Sequence, residues 1–260
     1  MTAIGAPLDA DLRDAGSPTA VPPWEIRGES HQFLAFALDA GECVVVERSA
    51  FLSATRGVRI SARAVLGGAR SWLGLVLGPV RVLAQLVQKR AGGERWWSQV
   101  VTAEYDAEVL AQNPLGGQIA WLPVDGEVLT MRRGSWIAQR GDITLGAAVV
   151  GAMVGALMAD PPWVWQRAEG VGDVFIGGHG NVVAYNLGAG DEVVLDPTAL
   201  LAWHSVARWE QVGVGSLTGT FFAGEGWALL RAIGPGMVVV DTGTARRRRE
   251  RKKGKEADGA

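Results

Sequence analysis

The stretch that most restricts the fold is residues 185–204, YNLGAGDEVVLDPTALLAWH. A strand-like run ends at Leu187 and meets the glycine turn Gly188-Ala189-Gly190. The acids Asp191 and Glu192 then lead into the apolar run Val193-Val194-Leu195. Asp196-Pro197 break that run, and Ala199 to Trp203 resume it. The same phrase stands at 38–52, LDAGECVVVERSAFL, and at 122–138, LPVDGEVLTMRRGSWIA. A second phrase, glycine then acid then aromatic, a strand, a glycine-rich turn and a further strand, starts near Gly93, Gly172 and Gly224. Two phrases that alternate three times make an internal repeat the organising feature of the chain. The glycine turns read as hairpin turns that need positive φ. Strands this frequent, joined this tightly, imply a closed barrel or a double sheet.

Length and composition agree. The 260 residues suffice for one large all-β domain, and 48% are apolar, ample for a core. The 36 glycines and 11 prolines carry no collagen period and suit many tight turns. Eleven tryptophans against two tyrosines predict bulky side chains in a sandwich core, with any remainder on an interface. Cys43 is the only cysteine, which excludes an internal disulfide and a cysteine-rich zinc site. Its place in an apolar strand predicts a buried, inert thiol. The first residues lack a basic region followed by an apolar stretch, and no 18-residue window is free of polar breaks. Neither a secretory signal nor an ordinary transmembrane helix is expected, and a cytoplasmic location, with peripheral membrane contact as its variant, fits.

Three divisions follow: a disordered tail over 1–23, a β domain over 24–244 and a disordered basic tail over 245–260. Structure is expected to begin at Trp24-Glu25-Ile26, and three or four strands to fill 33–66. The run Val44-Val45-Val46 suits a strand covered on both faces. Two apolar segments interrupt the β pattern. In 67–93, Val80, Leu83, Ala84 and Val87 fall at helical spacing after Pro79. Before them, Trp72, Leu73, Leu75, Val76 and Leu77 form an uncharged patch. In 146–160, Val150, Met153, Val154 and Leu157 repeat that spacing, and Asp160-Pro161-Pro162 end it. Two short apolar helical insertions are therefore expected, at about 72–90 and 147–159, packing on a sheet or on a neighbouring subunit. The competing reading lays the first in a membrane interface.

The residues resemble the AIM24 family. The resemblance rests on the Gly-Glu-x-Val-x-Val phrase, on Gly224-Glu225-Gly226-Trp227-Ala228-Leu229-Leu230 and on Gly234-Pro235-Gly236 through Thr242. The turn Gly177-Gly178-His179-Gly180 after an aromatic strand and Val193-Val194-Leu195-Asp196 fit it too. It covers about residues 33–243. It implies a fold similar to the tryptophan-attenuation protein, a double-stranded β-helix or β-sandwich that assembles into rings or trimers. Eukaryotic members are linked to mitochondrial inner-membrane organisation. The family has no established catalytic residues, so the resemblance supplies none. The apolar segment at 67–90 and the Arg/Lys tail are departures from its pattern.

Catalytic chemistry has little to stand on. His31, His179 and His204 have no second histidine or cysteine at ligand spacing, and no nucleophile elbow, P-loop or dinucleotide fingerprint occurs. His179, in its glycine turn, is the histidine best placed for a special role, although a turn histidine is ordinarily solvated. Glu42, Glu127 and Glu192 start strands at equivalent repeat positions, so the repeat predicts them apart. No catalytic, cofactor-binding or metal-binding residue is expected, and no cofactor. The net charge of −2 hides a basic tail of eight positive and three negative residues from 246 to 260. Arg246, Arg247, Arg248 and Arg249 open it and suit anionic lipid or non-specific phosphate, while the lack of aromatics there disfavours nucleic-acid stacking. The expectation is a non-catalytic, self-assembling β-scaffold of homo-oligomers. The alternatives are a peripheral membrane protein that uses the apolar patch and the tail, and a ligand- or RNA-binding module in a subunit groove.

Overall fold

A computed structural model describes residues 22–64, 97–149, 164–213 and 228–243. Trp72, Leu73, Leu75, Val76, Leu77, Arg246, Arg247, Arg248 and Arg249 lie outside the described residues, as do the segment 72–90 and the basic tail.

β1 (Trp24–Arg27) opens the described chain, where structure was expected to start. A first unit follows: β2 (Phe33–Leu38), β3 (Cys43–Glu47), β4 (Phe51–Ala54), β5 (Val58–Ala64), β6 (Trp97–Ala103) and β7 (Ala107–Gln112). The second unit has four strands, β8 (Ile119–Asp125), β9 (Leu129–Met131), β10 (Trp136–Val149) and β11 (Val164–Gly177). The third has β12 (Val182–Leu187), β13 (Glu192–Leu195), β14 (Leu200–His204), β15 (Arg208–Gly213), β16 (Ala228–Ile233) and β17 (Gly236–Asp241).

The units share one pairing scheme, all antiparallel. In the first, β7 lies between β2 and β4, and β6 lies between β3 and β5. In the third, β17 lies between β12 and β14, and β16 lies between β13 and β15. In the second, β11 does both jobs. Its C-terminal half pairs with β8 and the start of β10, and its N-terminal half pairs with β9 and the rest of β10. Thus β10 and β11 are each two strands of the common unit fused end to end.

Glycines make the fusion possible. Gly141 faces Gly172 in the hairpin, and Ile143 faces Gly170. A Cβ on Gly170 would stand 1.9 Å from the Asp142 carbonyl oxygen, and one on Gly172 would stand 2.2 Å from that of Arg140. Gly170 and Gly172 also carry φ of +125° and +153°. Only glycine lets the two backbones approach and turn at this corner. The buried Gln139 amide supports it by donating from Nε2 to the Ile143 carbonyl at 2.7 Å.

The turn glycines of the repeated phrase, Gly41, Gly126 and Gly190, have φ of +91°, +82° and +85°. Six and nine residues further on, each phrase closes a tight turn. Ala50 N donates to Glu47 O, Ser135 N to Arg132 O, and Ala199 N to Asp196 O. After that turn comes a register shift, between Phe51 and Ser53, Trp136 and Ala138, and Leu200 and Ala202. The repeat therefore extends to the bulges.

Each unit centres on its own apolar cluster. Leu34, Phe36, Val44, Val46 and Val109 anchor the first, Leu122, Leu129, Met131 and Val174 the second, and Leu195, Leu200, Leu230 and Val238 the third. Tryptophans pack against the first and third clusters. Trp24 rests on Trp121 and Phe175, and Trp165, Trp203 and Trp209 form a chain of edge contacts.

The all-β expectation holds, and four strands fill 33–64. Three readings need correction. Residues 147–149 end strand β10, so the second insertion is not helical there; residues 150–159 lie outside the described chain. The apolar, small-residue composition resembled a helix face, but pairing with 164–166 takes those residues into the sheet. Cys43 is exposed rather than buried. It starts β3, whose burial alternates: Val44 and Val46 point into the first cluster, Val45 is partly buried against the second, and Cys43 at the strand's start is left outward. Finally, Gly172 is not a strand-opening turn but part of the β11 corner. The counterparts of Gly93 and Gly224 in the second unit fall within 150–163, outside the described residues.

Candidate functional site

Two places gather polar or apolar groups in a way the bare fold does not require: a glycine-lined seam where the units meet, and the junctions that join unit to unit.

The seam forms from the segments that lead out of one unit and into the next. Gly117 N donates to Gly178 O at 3.1 Å, Gln118 N to Gly180 O at 2.8 Å, and Thr242 N to Asn181 O at 2.9 Å. Side-chain amides repeat the theme across units. Gln32 Oε1 accepts from Ile119 N at 2.7 Å, and Gln118 Oε1 accepts from Val182 N at 3.1 Å. Each glutamine thereby holds the first residue of the following unit's opening strand. Asn113 is buried and uses its whole side chain. Its Nδ2 donates to Gly117 O, Gln118 O and Gly178 O, and its Oδ1 accepts from Leu115 N. Side chains are squeezed out here: a Cβ on Gly180 or Gly243 would lie within 2.6 Å of the other's backbone nitrogen or closer. That packing is the physical reason for Gly177-Gly178-His179-Gly180.

His179 sits in this seam, more enclosed than the solvated turn residue its surroundings in sequence suggested. Its Nδ1 is 3.2 Å from Asp241 Oδ2, and its backbone N donates to the same oxygen at 3.0 Å. Asp241 also accepts from Gly180 N and Gly243 N at Oδ1, and its side chain is fully buried. Burial alone would raise the Asp241 carboxyl; the hydrogen bonds from His179, Gly243 and Gly180 outweigh it and hold the group well below the usual carboxylate range. A histidine oriented by a buried aspartate has the form of a base awaiting a substrate. Here Nε2 is sealed from solvent and has no hydrogen-bond partner among the described residues, so no described hydroxyl or thiol stands where a nucleophile would. The pair closes the third unit onto the seam.

The junctions are built alike. Val46 and Val45 of β3 pair with Ala138 and Gln139 of β10. Met131 and Thr130 of β9 pair with Ala202 and Trp203 of β14. Counted from the turn glycines, these are the same positions of consecutive units. At each junction the bulged residue of the later unit enters the core of the earlier one. Ile137 packs in the first cluster and Leu201 in the second. An Arg140–Glu42 ion pair at 2.5 Å crosses the first junction. Arg132 crosses the second, its guanidinium donating to Thr198 O and Leu200 O, with its backbone N on Leu201 O. Burial lowers the Arg132 pKa, against the pull of Asp241 and Asp196.

The repeated acids do not converge. Glu42 meets Arg140 and Glu192 lies 3.6 Å from Arg231. No metal-holding group of carboxylates, histidines or cysteines occurs among the described residues. In the third phrase Asp191, not Glu192, is the true counterpart of Glu42. Each accepts from the backbone N two residues before its turn glycine, Glu42 from Asp39 and Asp191 from Gly188. The seam amides Gln32, Asn113 and Gln118 were missed in the sequence, where nothing distinguishes them from surface amides except their nearness to a unit boundary.

Residues 24–243 match the family model described as "AIM24: Mitochondrial biogenesis AIM24". None of the curated proteins compared with the chain matches it. Among solved structures, protein SPYM3_0169 from Streptococcus pyogenes is similar, with 14% identity and a TM-score of 0.59 over 88% of this chain and 97% of that one. At that identity the likeness bears on the fold.

Proposed function

The chain belongs to the AIM24 family, and from that premise we propose that it is a non-catalytic, self-assembling β-scaffold that organises other components. The observation that carries this reading is the junction. One chain uses the same strand-to-strand docking twice, Val46 with Ala138 and Met131 with Ala202, so its architecture is already an assembly of docking units. The polar groups best placed for chemistry, His179 and Asp241, are occupied in holding backbone together. Light scattering with and without mild detergent tests the reading. A defined homo-oligomer unchanged by detergent supports it, and a strict monomer under both conditions overturns it.

A second reading has its own support. The segments 65–96, 150–163 and 214–227 each stand between the fourth and fifth described strands of a unit, or their fused equivalents, so they occupy corresponding points of the three units. The first two carry the apolar sequences. No helix among the described residues is long and apolar enough to cross a membrane. In this reading the protein is cytoplasmic and peripheral, and Trp72, Leu73, Leu75, Val76 and Leu77 reach an anionic bilayer with help from Arg246 to Arg249. Co-sedimentation with anionic vesicles at low salt should then weaken when residues 246–255 are removed. Binding that ignores both salt and the tail would remove the electrostatic part of this reading.

A further inference from the structure

The junction scheme leaves two strands unused. Among the described residues no unit stands before unit 1 or after unit 3, and β4 ends its sheet as β13 ends its own. No described strand pairs across either outer side. We propose that β4 of one copy adds to β13 of a second copy in the register of the internal junctions, with Ser53 opposite Leu195 and Ala54 opposite Val194. This rests on the self-assembly reading above and gives it a surface.

The register comes from the two junctions in hand. Ala138 meets Val46 and Gln139 meets Val45; Ala202 meets Met131 and Trp203 meets Thr130. Counted from Gly41 and Gly190, the same positions in units 1 and 3 are Ser53 with Leu195 and Ala54 with Val194.

The strongest support is Leu52. It is the bulged residue of β4 and the counterpart of Ile137 and Leu201. Those two are 1% and 0% exposed, each inserted in the core of the preceding unit, whereas Leu52 is 49% exposed. The receiving side shows the same vacancy of contact. Thr130, in the middle of the second unit's receiving strand, is 9% exposed, and its counterpart Val194 is 43% exposed. A large apolar side chain left bare on each of two unpaired edges, at the positions that are covered twice elsewhere in the chain, fits a strand addition not yet made.

Sequence and charge agree. Exposed edges are ordinarily blunted by proline, lysine or an inward charge. The strand FLSA of β4 has none of these, and EVVL of β13 has only its leading Glu192. At the first junction Arg140 of the later unit meets Glu42 of the earlier. The counterparts on the free edges are Thr55 with its neighbour Arg56, and Asp191 with its neighbour Glu192, so the signs match again. Because β4 and β13 are different strands, the contact is head to tail and yields a closed ring or a growing arc.

The test uses the full chain. Its mass is followed by light scattering across concentration, for the native sequence and for Leu52→Asp. Leu52 is half exposed, so the variant should keep its circular dichroism and melting temperature while its self-association falls by about tenfold or more. In parallel, a Cys43→Ser, Ala54→Cys chain is mixed with a Cys43→Ser, Val194→Cys chain and oxidised. The mixture should form a disulfide-linked pair, and Val171→Cys, on an exposed site elsewhere, should not replace Val194→Cys. An oligomer that Leu52→Asp leaves intact, with no cross-link, would sink the strand pairing while self-assembly stood through another surface. A monomer at every concentration would sink both.

Discussion

Ile137 and Leu52 hold the same place in consecutive units and have opposite surroundings. Ile137 is buried in the core of the unit before it, and Leu52 stands half in water on the edge strand β4. One piece of local structure, turn glycine, strand, tight turn and bulge, therefore makes a junction where a described unit stands before it and an open edge where no described strand pairs with it. The local sequence makes the key; the neighbour makes the lock.

The largest effect is expected at the corner that fuses strands in unit 2. Gly170→Ala should cost several kcal/mol, on the order of 3 or more, because its Cβ would collide with the Asp142 carbonyl at a φ of +125°. Gly41→Ala, whose Cβ meets nothing within 4 Å, carries only the positive-φ penalty of about 1 kcal/mol. Denaturant titration of both variants reads the difference. Next, Ile137→Ala should cost about 2–4 kcal/mol in the same assay, while Leu52→Ala changes the dilute protein by no more than about 0.5 kcal/mol. Equal costs at the two positions would contradict the assignment of Leu52 to an open edge.

The third effect is smaller and depends on pH. Asp241 is held below the ordinary carboxylate pKa, so in the folded protein it binds its proton more weakly than in the unfolded chain. Its contribution is full above the unfolded value of about 4 and is lost as pH falls below that toward the depressed folded value. Asp241→Asn, which keeps one acceptor, should cost about 2 kcal/mol at neutral pH and flatten stability against pH below about 4. Melting temperatures in a pH series check this; an unchanged acid limb would contradict the role given to the carboxylate. Smallest of all, Arg140→Met should cost no more than about 1 kcal/mol, since the Arg140–Glu42 pair is partly exposed.

Much of the fold was legible because turn chemistry is local. Gly41, Gly126 and Gly190 announced positive-φ turns, and the structure gives the φ but not the hairpins, since β2 and β3, β8 and β9, and β12 and β13 pair with other strands and not with each other. The phrase repeated at the right spacing, so the three units could be counted. What failed was anything decided by a partner strand. The small-residue sequence GAAVV from Gly146 to Val150 has no strand signature of its own, and pairing with the segment from Val164 draws Gly146 through Val149 into the sheet. Cys43 looked internal because its neighbours are apolar, yet alternation turns it outward. The seam was legible only as unexplained glycines. That Gly117, Gly178, Gly180 and Gly243 press backbone against backbone requires the three units to be in place first. The contact of His179 with Asp241 joins residues 62 apart and leaves no local mark in the sequence.

One junction is made twice inside the chain and left unmade at the edge strands β4 and β13. Amide hydrogen exchange across a concentration series tests it most directly. The prediction is strong, concentration-independent protection where β3 meets β10 and β9 meets β14, together with outward-facing amides of β4 and β13 that exchange fast in dilute protein and slow as concentration rises. Protection of β4 and β13 equal to the internal junctions at high dilution would show those edges already satisfied within one chain, and would contradict the claim.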